Sequence, residues 1–93
     1  MIGRLRGVLA EIDGHCLLVD VAGVGYEVEV SASVLESKAS VGYDIELSTH
    51  FVVREDAQQL FGFSDANERE LFRIFDKING VGPKLALASV SNI

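Results

Sequence analysis

The sequence predicts a mainly β fold with some α-helix: a five-stranded barrel followed by a helical pair. Two observations point to it. From residue 2 to residue 63 the chain supplies aliphatic, β-branched or alternating runs, separated by glycine- and aspartate-containing turns and interrupted by one short helical segment. After Phe63 the apolar residues recur every three or four positions, the period of a helix.

The elements follow in order. Ile2 to Ile12 is rich in aliphatics, Asp13-Gly14 gives a two-residue hairpin signal, and Cys16 to Val21 is a β-branched run. Ala22-Gly23-Val24-Gly25 turns the chain, and Tyr26-Glu27-Val28-Glu29-Val30 alternates apolar with acidic as a strand with one wet face should. Ser31 to Lys38 breaks the alternation and predicts one or two helical turns, with Ser33 and Glu36 spaced as a capping box. Tyr43 to Val53 is a long strand, Ala57 to Phe63 closes the series, and Arg54-Glu55-Asp56 separates the two. Five strands with a helix between the third and fourth match the order of an OB-fold, a small Greek-key barrel often used for oligonucleotides.

Ser64 or Asp65 can cap the next helix, whose apolar members are Leu71, Phe72, Ile74, Phe75 and Ile78. Gly80 ends it. Pro83 suits the first position of a following helix, where a missing N–H costs nothing, and Leu85, Ala86, Leu87, Ala88 and Val90 continue it to Ile93. So short a helix is not stable alone, so it is expected to pack on its predecessor and the natural chain to continue. The expected division is therefore 1–63 for the barrel and 64–93 for the helical pair.

Composition narrows the function classes. With 93 residues, 48% of them hydrophobic, and a mean hydropathy of +0.28, the chain can bury a core. It contains no apolar run near the roughly 20 residues of a membrane span, and Met1-Ile2-Gly3-Arg4-Leu5-Arg6 lacks a signal-peptide pattern, so a cytoplasmic location is expected. Cys16 is the only cysteine, which rules out an internal disulfide, and its neighbours suggest an inert strand thiol. Cys16, His15 and His50 show no zinc-ligand spacing, so neither a metal nor another cofactor is expected. No nucleotide-binding lysine motif and no nucleophile elbow is present, so a non-enzyme is expected.

A net charge of −6 looks unsuited to binding DNA, but the charge is unevenly spread. Residues 1–63 carry Arg4, Arg6, Lys38 and Arg54 against ten carboxylates, which accounts for the whole excess. Residues 64–93 balance Arg69, Arg73, Lys77 and Lys84 against Asp65, Glu68, Glu70 and Asp76.

Ile78-Asn79-Gly80-Val81-Gly82-Pro83-Lys84 is the segment most informative about function. Glycines permit a tight turn and close approach of a ligand, the first amides of the next helix have no internal partner, and a phosphate oxygen can supply the acceptor. A connector between two helices would also account for a Gly-x-Gly-Pro turn. The flanking apolar residues and Lys84 favour the phosphate grip, with Asn79, Gly80, Val81, Gly82 and Lys84 as its members. Gly23-Val24-Gly25 is a different case: the alternating strand after it excludes a dinucleotide fingerprint. Glu55 and Asp56 form an acidic pair between two long strands, which fits a plain exposed turn or a functional one.

The spacing apolar-x-Gly-apolar-Gly-x-Lys-x-Ala resembles the helix-hairpin-helix motif, which binds the DNA backbone without reading sequence. Together with Thr49-His50-Phe51-Val52-Val53-Arg54-Glu55-Asp56-Ala57-Gln58, Leu60-Phe61-Gly62-Phe63, the opening Met1 to Gly7 and Gly23 to Val28, the whole chain resembles the N-terminal part of the RuvA family, Holliday-junction-binding subunits of bacterial branch-migration complexes. That resemblance implies an OB-fold first domain, a second domain with two helix-hairpin-helix motifs of which only the first is present here, and a third that binds the RuvB motor. It also implies a homotetramer on an open four-way junction, with RuvC as a further partner in recombination and repair. Glu55 and Asp56 would then be the acidic pin at the junction centre. Two alternatives stay open at this stage. One is an oligomerisation module using exposed Leu85, Leu87 and Val90, with its DNA contacts elsewhere. The other is an enzyme with Glu55 and Asp56 as metal ligands.

Overall fold

The computed structural model describes residues 2–79 and 83–91, with the side chains at 78, 79 and 84 left aside. Its elements are β1 (Arg4–Asp13), β2 (Cys16–Val21), β3 (Val24–Val30), α1 (Ala32–Ser37), β4 (Asp44–Arg54), β5 (Ala57–Phe63), α2 (Ala66–Asn79) and α3 (Pro83–Ser91). The strands close into a barrel in the order β1-β2-β3-β5-β4, the OB-fold arrangement.

β1 is long enough to serve two neighbours. Arg4 to Val8 pairs with β4, and Val8 to Asp13 pairs with β2. The register shifts between Leu9 and Glu11, a bulge of the kind that bends a strand and helps a barrel close. The other closing contact is a short parallel pairing of Glu29 and Val30 with Phe61 and Gly62. Alternation fills the interior: Leu9, Leu17, Val19, Val28, Val30 and Leu47 are essentially inaccessible to solvent, and Val34 of α1 plugs one end.

A second core lies outside the barrel, and strand parity explains it. On β5, Gly62 pairs with the inward Thr49, so Phe61 and Phe63, opposite His50 and Ser48, point outward. Two phenylalanines on a wet face would be costly, so α2 and α3 cover them with Phe72, Ala86, Leu87 and Val90. The Phe72 ring lies 4.9 Å from that of Phe63 and 5.3 Å from that of Phe61. Each fully buried ring contributes about 1.5–3 kcal/mol of transfer energy, which holds helices this short in place. As expected, α3 packs on its predecessor. Leu87 and Val90, read from sequence as exposed assembly residues, are instead buried within the chain, while Leu85 is exposed.

The turns differ slightly from the sequence reading. The β1–β2 loop is Gly14-His15, one residue later than Asp13-Gly14, because Asp13 still pairs with Cys16. The β2–β3 turn is only Ala22-Gly23: Val21 pairs with Val24, and both loop residues have positive φ, 53° and 90°, as a type I′ hairpin requires. Asp20 steadies this turn by accepting from the Gly23 amide at 2.8 Å. The Ser33/Glu36 capping box does not form. Ser31 is the N-cap of α1, and Ser33 lies inside the helix with its hydroxyl turned toward Glu68.

Candidate nucleic-acid interface

The β4–β5 ladder runs without a break from Ser48↔Phe63 to Arg54↔Ala57, leaving Glu55 and Asp56 as a two-residue turn. Residues 53 to 58 are all exposed, Val53 included. The ladder thus projects past Phe51 and Leu60, the last pair packed on the interior core, by three residues, or about 10 Å. Neither carboxylate makes an ion pair among the described residues. Both stand in the turn itself, where fixed negative charge meets solvent and any approaching phosphate.

α2 ends at Asn79 and α3 opens at Pro83, with Lys84 as its second residue. Of the sequence-based phosphate grip, Gly80, Val81 and Gly82 lie outside the described residues, as do the side chains of Asn79 and Lys84. What the structure supplies is the mounting of the two helices. Asp65 caps α2 by accepting from the Glu68 amide at 2.9 Å, and Pro83 takes the first position of α3.

Sequence reasoning missed the polar joint that fixes this mounting. The Glu68 carboxylate accepts from the Ser31 hydroxyl at 2.7 Å, from the Ser33 hydroxyl at 2.5 Å and from the Ser64 amide at 2.9 Å. Lys38 donates to the Ser64 and Glu46 carbonyls at 2.5 and 3.2 Å, and Ser91 of α3 accepts from the Ala32 amide at 3.1 Å. Barrel, α1, α2 and α3 are therefore joined through one network. The serine cluster was visible in the sequence, but its spacing suggested local capping and gave no sign of a partner some 35 residues away.

On the other side of α2, Arg69 donates to the Gly3 carbonyl at 2.8 Å and Arg73 donates through Nε to His50 Nδ1 at 3.2 Å. His50 must be neutral at Nδ1 to accept. Burial first, then the Arg73 guanidinium, hold its pKa below the ordinary 6.5, partly opposed by Asp76 and Glu70. At the opposite face of the barrel Cys16 has its thiol pKa raised by burial and then by Glu27, Glu29 and Asp13, which keeps it protonated and unreactive near neutral pH. No group of three His, Cys, Asp or Glu side chains among the described residues is placed to hold a metal ion. No helix among them is long and apolar enough to cross a membrane.

The chain is thus a closed OB barrel with a projecting acidic hairpin and a helical pair mounted on its outer wall. The family model for the RuvA N-terminal domain matches residues 1–62, and the chain belongs to that family. Over all 93 residues it is 58% identical to a protein of Pseudomonas paraeruginosa, 56% to one of Stutzerimonas stutzeri and 52% to one of Colwellia psychrerythraea, each named Holliday junction branch migration complex subunit RuvA. The chain covers 46%, 46% and 44% of these relatives, so it spans about half their length.

Proposed function

We propose that this chain binds the sugar-phosphate backbone of four-way junction DNA by structure and without sequence preference, as part of a non-catalytic subunit of a branch-migration complex. The observation that carries this reading is the projecting β4–β5 hairpin with Glu55 and Asp56 as its two-residue turn, in a chain that also carries the Gly80-Val81-Gly82-Pro83-Lys84 grip. Amides around Gly80, Val81 and Gly82, with Asn79 and Lys84, hold a phosphate of each arm. The carboxylates at the tip repel phosphates at the crossover, which disfavours an ordinary duplex there and favours an open junction. Salt screens that repulsion over about 10 Å at 0.1 M, so selectivity declines as ionic strength rises. The names of the relatives point the same way.

The same reading assigns residues 1–63 to the OB-fold domain and residues 64–93 to the first helix-hairpin-helix of a second domain. It also takes the working protein to be a cytoplasmic homotetramer that cooperates with a RuvB motor and a RuvC resolvase. The test is to measure affinity for a four-way junction and for a linear duplex across a salt series, with wild type and the Glu55→Lys/Asp56→Lys double variant. The expected result is a junction preference that shrinks in the double variant because its duplex binding rises. Equal affinity of the wild type for both substrates would overturn the proposal.

A further inference from the structure

The β2–β3 side of the barrel is acidic. Glu11, Asp13, Cys16 and Glu27 line a shallow cleft over β1 to β3, and Glu27 and Glu29 line its neighbour beside Gln58 and Gln59. No arginine or lysine is among the residues lining either. The face formed by strands 2 and 3 is the one OB-folds commonly offer to oligonucleotides. Here it presents carboxylates, which a DNA backbone avoids.

The opposite end of β1 carries two arginines, on an outer face it shares with exposed Glu46 and Asp44 of β4. Arg4 and Arg6 are exposed on its outer face, with buried Leu5 between them turned into the barrel. They stand opposite Ser48 and Glu46 of β4, in a stretch of β1 that pairs with β4 alone. Among the described residues neither guanidinium has a hydrogen bond or an ion pair, Glu46 included. Lys38 and Arg69, by contrast, are tied to main-chain carbonyls. The Arg69 guanidinium, bonded to the Gly3 carbonyl beside Arg4, is offset by its ion pair with Glu70 at 3.3 Å.

On the basis of the backbone-binding role above, we propose that Arg4 and Arg6 each contact a phosphate of a duplex arm, so that the barrel meets DNA with the outer face of β1 and keeps its β2–β3 face turned away. Two uncommitted guanidinium groups on alternate residues of one strand are rooted about 7 Å apart along it, with their backbone positions already fixed by the sheet. Each phosphate contact adds about 0.9 to the slope of log affinity against log salt.

The experiment is a salt series of duplex binding by this chain, comparing wild type, Arg4→Gln/Arg6→Gln, and the same pair combined with Glu27→Gln/Glu29→Gln, which restores the net charge. The slope should fall by about 1.8 in the first variant and stay low in the second. An unchanged slope in the first, or its recovery in the second, would overturn the contact, recovery meaning that only overall charge mattered. Lys84→Ala serves as the separate check on the parent reading. If it flattens the slope while the arginine variant does not, the grip stands and the β1 contact fails; if the wild type does not bind duplex or junction at all, both fail. Circular dichroism of each variant confirms the barrel, since both arginines are outside the core.

Discussion

Glu68 on α2 accepts a hydrogen bond at 2.7 Å from the hydroxyl of Ser31, a residue 37 positions earlier that is completely buried at the start of α1. With Ser33 and the Ser64 amide on the same carboxylate, this joint makes the orientation of the helices a property of the barrel. Under the proposed function, a rigid link of this kind keeps the helical pair and the acidic hairpin in a fixed relation.

Removing the carboxylate should therefore be costly. Glu68→Ala leaves the buried Ser31 hydroxyl and the Ser64 amide without their acceptor, a loss of about 1–3 kcal/mol. Glu68→Gln, which keeps one acceptor oxygen, should fall between the two. Urea denaturation of the three proteins checks this, and an alanine variant as stable as wild type would show that water replaces the joint without loss.

Gly62 is a site where a single methyl should be felt. A Cβ there would lie 2.7 Å from Val28 Cγ1, 3.0 Å from Leu47 Cδ1 and 3.2 Å from Val30 Cγ1, all inside the barrel. Gly62→Ala is expected to destabilise by about 1–3 kcal/mol through overpacking, read as a lower melting temperature with an unchanged far-ultraviolet spectrum.

Phe72 belongs to the outer core alone. Phe72→Ala should cost about 3–5 kcal/mol, because it uncovers the outward rings of Phe61 and Phe63. Hydrogen exchange should show faster exchange in α2 and α3 with protection in β1 to β3 largely kept, since the interior core contains none of these rings. Uniform loss across the barrel would mean that the two cores unfold as one.

The pH dependence of stability should carry a contribution from His50. Its folded-state pKa lies below the ordinary 6.5, through burial first and the Arg73 guanidinium second. Above that ordinary value the residue is neutral in both states and the stability is fully present. As pH falls through it the unfolded chain takes up the proton first, and stability declines until the folded-state pKa is passed. His50→Gln should flatten this segment of the urea midpoint against pH. The same curvature in the variant would place its origin elsewhere.

The five strands, α1 and the helical pair were legible because each has a local signature: alternation in Tyr26–Val30, and the three- and four-residue spacing of Leu71, Phe72, Phe75 and Ile78. The acidic tip was legible as well, since only two residues remain between strands whose pairing continues to Arg54 and Ala57. Turn boundaries were off by one residue at Asp13 and by two at Val24, where pairing extended into the expected loop.

The sequence by itself determined the order of the elements, the placement of Glu55 and Asp56 at a hairpin tip, and the uneven distribution of charge along the chain. Only the tertiary structure decided which side chains face which core, because strand parity turns Phe61 and Phe63 outward and so requires the helices to cover them. It also decided the partners of Glu68 and the freedom of Arg4 and Arg6. Those depend on segments brought together by barrel closure, and no spacing along the chain encodes that closure.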